Sequence, residues 1–297
     1  MWVGGMPRVM SAAEGTGAGI RPLRITRQEF GHFRALVYRE AGIALGDHKR
    51  ELVCSRLGKR LRRYGYATFS EYWDHLQERD PDGQERLCMV NAITTNKTEF
   101  FREEHHFAIL RSVVLTRSAA ERHAPRGLRI WSAGCSSGEE PYTIALTVLD
   151  ALGGAATPGV RILASDINTD MLARAEEGVY APEQIAPVPA AFRGKCFARC
   201  AGAPAGSVVV RPHVRDLVTF RRINLAEPWP IRTPLDSIFC RNVLIYFDRA
   251  LQELCVSRFV DLLRPGGYLF LGGAESLLGM RSELRNLGHS VYQKAGG

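Results

Sequence analysis

The 297-residue sequence has no long hydrophobic run and no evident export pattern. No stretch approaches the roughly 18 consecutive apolar residues that a membrane-spanning helix needs. The opening segment MWVGGMPRVMSAAEG does not place a basic stretch before a continuous apolar one, so we expect no secretory signal there. We therefore expect a soluble protein that is not inserted in a membrane.

The cysteines lack a framework spacing. There are seven of them, an odd number, and they are scattered along the chain. Disulfide-rich secreted scaffolds have an even number of cysteines at regular spacings, whereas scattered cysteines are typical of a reducing compartment. A cytoplasmic location is the simplest expectation.

The composition is that of a folded protein with an excess of positive charge. Apolar residues make up 45% and charged residues 24%, which differs from the low hydrophobicity of disordered chains. The length fits about two domains of roughly 100–200 residues. The net charge of +8 admits a nucleic acid, an anionic membrane surface or an acidic protein as partner, and it does not choose among them.

The first third of the chain has helical periodicity. Residues 1–20, rich in Gly and Ala, are predicted to be a disordered lead-in. Residues 21–93 are predicted to form an all-helical domain, because apolar residues such as Phe30, Phe33 and Leu36 recur at helical spacing. Thr26 and Thr68 are suited to cap two of its helices. Residues 94–107 would link this domain to the next.

Residues 108–297 show a different pattern. Short apolar runs alternate with amphipathic helices, which we predict at about 139–152, 169–177 and 250–263. This alternation is typical of an α/β fold with an open, mostly parallel sheet. The stretch 181–213 is rich in Pro, Ala and Gly and does not fit, so we predict an insertion there with a small β-hairpin.

A glycine-containing turn at 134–138 is the first candidate ligand-binding feature. It follows a short apolar strand and precedes a helix, and its two glycines let the backbone approach a ligand. Ser137 is suited to cap that helix. Asp166 follows the next strand, where a carboxylate reaches the ribose hydroxyls in nucleotide-binding sheets. Plain strand-turn-helix architecture, and a helix cap for Asp166, are the alternatives.

These features favour S-adenosylmethionine over a nicotinamide cofactor. The glycines do not form the G-x-G-x-x-G pattern, and Asp166 lies 32 residues beyond Gly134 rather than the expected ~20. S-adenosylmethionine has an adenosine that needs the ribose carboxylate but no pyrophosphate that needs a helix N-terminus. Glu140, near the start of that helix, suits a ligand with an amine and a sulfonium better than a phosphate.

Five segments of the chain resemble the chemotaxis receptor methyltransferases, the CheR-type family. In chain order they are TTNKTEFFRE (94–103), WSAGCSSGEEPY (131–142), ASDI (164–167), INL (223–225) and IFCRNVLIYF (238–247). The resemblance covers the chain from about residue 26 to its end. It implies an all-helical N-terminal domain followed by a Rossmann-like S-adenosylmethionine-dependent methyltransferase domain with a small β-subdomain insertion.

By motif position, the resemblance implies a cofactor site. Its residues would be Asn96, Thr98, Arg102, Gly134, Glu140, Asp166, Asn224, Leu225, Arg241 and Asn242. Asp166 would bind the ribose, and Asn224 and Leu225 would border the adenine. Arg241 and Asn242 would lie at the end of a central strand near the sulfonium. A simple turn residue is the alternative for Asn224.

The implied activity is methyl transfer to glutamate side chains of methyl-accepting chemotaxis receptors for sensory adaptation. The products would be the glutamate methyl ester and S-adenosylhomocysteine. The partners would be the cytoplasmic domains of the receptors, with no nucleic acid, and the enzyme would act as a monomer. Arg102 would orient the substrate carboxylate, and Tyr246 would lie near the transferring methyl. A solvated surface arginine and a core aromatic are the respective alternatives.

Positive charge is concentrated in one short segment. Seven basic residues and one acid lie between positions 49 and 63. On a helix, Arg56, Lys59 and Arg63 fall on one side. In the family that the chain resembles, the helical domain helps to recognise acidic receptor helices, so we expect these three residues to contribute to substrate recognition. An ordinary solvated face is the alternative.

No metal site is expected. His105 and His106 are adjacent and would diverge by about 100° on a helix, and we find no Cys or Glu partner at ligand spacing in the sequence. Cys196 and Cys200 are one helical turn apart, but they would need two more ligands.

Two other functions stay open at this point. One is a regulatory or scaffold protein that binds S-adenosylmethionine without turnover. The other is a nucleic-acid methyltransferase, although the acidic or Asn-Pro-Pro-aromatic motif of those enzymes is replaced here by RNVL at 241–244. The chain also departs from the family at 272–276, where GGAES replaces a Gly-His-Ser-Glu-like stretch.

Overall fold

The computed structural model describes residues 23–115, 127–153, 159–200, 202, 204–279 and 283–296. The predicted lead-in at 1–20 lies outside the described residues. Within these ranges, none of the helices is both long enough and apolar enough to cross a membrane.

A bundle of four helices comes first. The helices are α1 Arg27–Ala41, α2 Arg50–Tyr64, α3 Phe69–Glu78 and α4 Gln84–Ile93. The two predicted caps are confirmed, because Thr26 and Thr68 each form a capping box with the glutamate three positions later. Apolar side chains at helical spacing, such as Phe33 and Leu57, fill the core between the helices.

The described chain contains ten strands after this bundle. They are β1 Arg129–Ala133, β2 Arg161–Asp166, β3 Val179–Tyr180, β4 Phe197–Arg199, β5 Val208–Val210, β6 Val218–Arg222, β7 Leu235–Cys240, β8 Leu263–Leu271, β9 Leu284–Asn286 and β10 Val291–Lys294. Seven of them form one sheet in the order β6-β2-β1-β7-β8-β10-β9. The first five are parallel to one another, and β10 pairs antiparallel with both β8 and β9, which confirms the predicted open, mostly parallel sheet.

The strands alternate with helices. They are α5 His105–Ile109, which continues as a π-helix at Leu110–Leu115, and the helices Glu139–Ala151, Thr169–Glu177, Ala190–Cys196, Pro212–Arg215 and Arg249–Leu262. The three helices predicted in this region are confirmed to within one residue at each end.

A small sheet begins two residues before the predicted insertion at 181–213 and has three strands rather than the two of a hairpin. β3, β5 and β4 form a separate antiparallel sheet in that order. The hairpin prediction missed β3, because a strand of two residues is too short to show an alternating pattern. Tyr180 in β3 donates its hydroxyl to the carbonyl of Ser137 at 2.7 Å, so the small sheet contacts the glycine-containing turn.

The end of α1 lies directly on the second domain. Tyr38 donates its hydroxyl to Asp248 at 2.6 Å, and the Ala44 N–H donates to the carbonyl of Tyr246 at 2.8 Å. Gly42 ends α1 with φ +69°, and a Cβ on it would lie 2.4 Å from Cδ2 of Leu251. The two domains therefore pack without a gap here, and a glycine permits the close approach.

Candidate active site

A cavity of about 550 Å³ lies beyond the carboxyl ends of β1, β2 and β7. This edge of a parallel sheet is where α/β folds bind ligands, and the volume is in the usual range for such sites. The opposite wall comes from the helical domain, through the connection between α1 and α2, and from the segment after α4.

The residues predicted to bind the cofactor all line this cavity. They are Asn96, Thr98, Arg102, Gly134, Glu140, Asp166, Asn224, Leu225, Arg241 and Asn242, and Tyr246 lines it as well. They come from five separate stretches of the chain. Arg56, Lys59 and Arg63 are outside the lining.

Asp166 places a buried carboxylate at the end of β2. Its Oδ1 accepts from the Asn168 N–H and its Oδ2 from the Ser136 N–H, both at 2.8 Å. Burial raises the pKa of Asp166, and these hydrogen bonds oppose the rise. The helix-cap alternative is wrong, because Asn168 caps the helix Thr169–Glu177. A carboxylate has about four lone-pair sites, so acceptor capacity remains for the hydroxyls of a ribose.

The glycine-containing turn approaches the loop after β7. Gly134 has φ +85°, and a Cβ on it would lie 2.4 Å from Cγ2 of Val243. Gly138 occupies the N-cap of the following helix and makes no side-chain cap. The prediction that Ser137 caps this helix is therefore wrong; its hydroxyl donates to Glu139 at 2.7 Å instead.

Arg241 follows β7 and connects three parts of the site. Its guanidinium is buried, with Nη1 3.0 Å from Glu140 Oε2 and Nη2 3.2 Å from Glu103 Oε2. Nη2 also donates to the carbonyl of Arg102. Burial raises the pKa of Glu140, while Arg241 opposes that rise, and Ser132 donates to the second Glu140 oxygen at 2.6 Å. Two carboxylates thus surround one guanidinium, which suits the site to a cationic ligand.

Asn224 is a turn residue as well as a cavity residue. Its Nδ2 donates to the carbonyl of Glu40 at 2.8 Å and to Glu227 Oε1 at 2.9 Å. Its Oδ1 accepts from the Ala226 N–H at 3.1 Å. The protein itself therefore uses both amide hydrogens of Asn224, which supports the turn alternative.

Arg102 and Tyr246 lie on the rim that faces the helical domain. Arg102 is partly exposed and donates from Nη1 to the carbonyl of Lys97 at 3.0 Å. Tyr246 ends a short 3-10 helix, Leu244–Tyr246, and packs half-buried against the core of the second domain. Tyr246 therefore packs partly against the core, as the core-aromatic alternative expects, and also lines the cavity.

Several residues around the cavity have unusual backbone conformations. Phe101, Glu103, Ser136 and Asn242 have φ values of 56°, 57°, 50° and 59°. Such left-handed non-glycine residues are uncommon and persist where the surrounding structure holds them. Their concentration here indicates that the loops of this cavity are held in place by their contacts.

Arg56, one of the three residues predicted to recognise the substrate, has contacts within the protein. Its guanidinium donates to the carbonyls of Ile93 and Thr94 at the end of α4. Lys59 and Arg63, by contrast, are exposed. Arg56 therefore joins α2 to the segment that enters the cavity, and of the three predicted recognition residues only Lys59 and Arg63 present their charge to solvent.

The surroundings of the two adjacent histidines also differ from expectation. Possible ligand atoms of Glu103, His105 and His106 lie within 4.8 Å of one another, so an acidic partner is at ligand distance after all. Glu103 Oε2, which lies 3.4 Å from His106 Nδ1, also lies 3.2 Å from Arg241 Nη2. His106 donates from Nε2 to the carbonyl of His289 at 2.7 Å. These contacts give Glu103 and His106 partners within the protein.

Sequence reasoning missed the contribution of the connection between α1 and α2. Ile43, Leu45, His48 and Lys49 from this connection line the cavity, although no motif marks them. Ser136 was missed as well, but it lies within the motif WSAGCSSGEEPY.

Comparison with known families gives two matches along the chain. The model of the CheR methyltransferase all-alpha domain matches residues 28–94. The model of the CheR methyltransferase SAM binding domain matches residues 96–293. Together they span both domains and every cavity residue from Asn96 onward.

Relatives with a stated activity match over most of their length. Chemotaxis protein methyltransferase 2 of Pseudomonas aeruginosa is 46% identical over 278 residues, which is 93% of this chain and 96% of the relative. The chemotaxis protein methyltransferase of Klebsiella aerogenes is 43% identical over 88% of each chain. That of Escherichia coli is 41% identical, over 88% of this chain and 90% of its own.

Because the imidazole of His106 is buried, we expect the folded protein to lose stability in acid. Burial lowers the pKa of His106 from 6.5 to about 4. The unfolded chain therefore binds this proton at a higher pH than the folded protein does, and stability falls as the pH drops from about 6.5 toward 4. Between pH 7 and pH 5 the loss from this group is about 2 kcal/mol.

We expect His106→Gln to lose less stability than the wild type between these two pH values, as measured by denaturant unfolding. Glutamine keeps an N–H donor near the position of Nε2 but does not titrate. The matched control is His32→Gln, at an exposed position. Equal pH dependence of His106→Gln and the wild type would contradict the prediction.

Proposed function

This chain belongs to the CheR methyltransferase family, and from that membership and its cavity we propose that it methylates glutamate side chains of chemotaxis receptors in the cytoplasm. The main support is the composition of the cavity. Residues between the two domains, such as Asn96 and Arg102, line it together with residues at three strand ends, such as Asp166 and Arg241. Such a lining would let the site hold a cofactor on the side of the sheet and a protein side chain on the side of the helical domain.

The cavity fits S-adenosylmethionine. Asp166 is a buried acceptor for the ribose hydroxyls, and Asn224 and Leu225 would border the adenine. Glu140 would face the cationic part of the cofactor. Asn96, Thr98, Gly134, Arg241 and Asn242 would complete the lining. When bound, S-adenosylmethionine supplies a methyl group that is electrophilic because its sulfur is positively charged.

The protein does not need a general base for this reaction. A glutamate carboxylate has a reference pKa of about 4.3 and is ionised at neutral pH. What remains for the protein is to align a carboxylate oxygen with the methyl group and to replace the water around it. Arg102 on the rim would orient the carboxylate through its planar guanidinium, and Tyr246 would lie beside the reacting atoms.

The helical domain would select the substrate. Lys59 and Arg63 are exposed on α2, the helix whose Arg56 contacts the segment entering the cavity. An acidic receptor helix has the opposite charge, so attraction to this face would bring its glutamates toward the cavity.

Direct methylation is the first test. Purified protein, labelled S-adenosylmethionine and receptor-bearing membranes are expected to give a base-labile methyl ester on the receptor band. A receptor variant with its methylated glutamates changed to alanine is the control and should remain unlabelled. Tight cofactor binding without transfer would favour the scaffold alternative, and label on added nucleic acid would favour the nucleic-acid alternative.

Arg102→Ala tests the orienting role. We expect the transfer rate at saturating substrates to fall by about 10²-fold, because a misplaced carboxylate reacts much more slowly. The matched control is Arg232→Ala, an exposed arginine outside the cavity. A full transfer rate with unchanged cofactor affinity in Arg102→Ala would exclude the role.

Charge reversal tests the proposed role of Lys59 and Arg63 in recognising the receptor. The double variant Lys59→Glu, Arg63→Glu should raise the KM for the receptor by roughly tenfold at low salt and less at high salt, with cofactor affinity unchanged. Arg232→Glu, Arg285→Glu makes the same change in net charge at two exposed positions outside the cavity. Similar KM values in the two double variants would refute a specific role for this face.

A further inference from the structure

A buried carboxylate outside the cavity lining holds the loop that forms one of its walls. Glu275 is 6% exposed and is not among the cavity residues. Its Oε1 accepts from the N–H groups of Val243 at 2.9 Å and Ile245 at 3.2 Å. Its Oε2 accepts from the N–H groups of Asn242 at 2.8 Å and Gly272 at 2.7 Å.

Three of these four donors belong to one wall of the cavity. The segment from Arg241 to Phe247 lines it almost continuously. A loop that leaves a strand has backbone N–H groups without ladder partners, and such groups need an acceptor when they are buried. Glu275 supplies that acceptor at three points of the segment, so the loop has little freedom to move relative to β8.

The same segment has a conformation that needs support. Asn242 has φ +59°, which is uncommon for a residue with a side chain. A Cβ on Gly272 would lie 2.3 Å from Asn242 Nδ2 and 2.8 Å from its backbone nitrogen. The turn that carries Glu275 therefore packs against the loop with no space for another side chain, and the Glu275 N–H closes that turn on the carbonyl of Gly272 at 2.8 Å.

We propose that Glu275 is a positioning residue for methyl transfer: it fixes the backbone from Asn242 to Ile245 and thereby sets where Arg241 and Tyr246 stand in the cavity. Glu275 acts through this loop and touches neither cofactor nor substrate. The effect of Glu275 on turnover rests on the proposed function, whereas its effect on the position of the loop does not.

The chemistry of the contact requires a carboxylate. All four partners are donors, and a carboxylate has only acceptor sites to offer them. Glutamine has nearly the same shape, but its NH₂ group would face two N–H groups and would leave them without an acceptor. Aspartate keeps both acceptor oxygens but is one methylene shorter, so it reaches fewer of the four donors.

The test compares Glu275→Gln and Glu275→Asp with Glu253→Gln. Glu253 is exposed on the helix Arg249–Leu262 and pairs there with Arg249, so the control makes the same change on the surface. Each protein is measured by hydrogen exchange at residues 241–247, by titration with S-adenosylhomocysteine and by steady-state methylation of a receptor fragment.

In Glu275→Gln we expect faster exchange at residues 241–247 but not in the helical domain. We also expect weaker binding of S-adenosylhomocysteine and a kcat reduced by about 10- to 100-fold, with the KM for the receptor changed much less. Glu275→Asp should recover part of kcat, because its two acceptor oxygens remain. Glu253→Gln should match the wild type in all three measurements.

Two results would overturn the proposal. One is wild-type exchange at residues 241–247 together with wild-type binding and turnover in Glu275→Gln. The other is faster exchange throughout the protein with turnover lost in proportion, since that would make Glu275 a residue of general stability. If the wild type itself failed to methylate the receptor, the proposed function would fail, while exchange and S-adenosylhomocysteine binding would still decide the role of Glu275.

Discussion

The buried guanidinium of Arg241 is the contact on which the cavity depends. A charge removed from water is stable only when it is paired, and Arg241 finds its partners in Glu140, in Glu103 and in the carbonyl of Arg102. Arg241 directly follows β7, and Glu140 lies at the start of the helix Glu139–Ala151. Glu103 and Arg102 belong to the segment between the domains. The sheet alone therefore does not complete the site, because the charge at its edge is balanced in part by the segment that brings in the helical domain.

Buried carboxylates fasten the loops at the same edge. Asp166 accepts from the N–H of Ser136, and Glu275 accepts from the N–H of Asn242. Both donors are left-handed residues, with φ values of 50° and 59°. Each of these two uncommon conformations is thus tied to a buried carboxylate at or after the end of a neighbouring strand, so the strain is supported by hydrogen bonds.

The excess of positive charge has two different uses in the basic helix α2. Arg56 contacts the end of α4, and Arg60 pairs with the buried Glu85, to which Tyr72 also donates at 2.6 Å. Lys59 and Arg63 are left exposed on the surface. A count of basic residues therefore overstates the charge that a partner can meet, since part of it stabilises the helical domain.

Local sequence features predict most helices and strands of this protein and many of the residues that line the cavity. Helical spacing and capping residues such as Thr26 and Thr68 are local features, and five short motifs contain the ten predicted residues that line the cavity. The contacts of those residues depend instead on how distant segments pack. Asn224 binds the carbonyl of Glu40, 184 positions away, and the unmarked connection after α1 closes the cavity. Spacing along a chain records local periodicity, whereas hydrogen-bond partners are set by the packing of distant segments, so Arg56 and Ser137 had contacts that no pattern predicted.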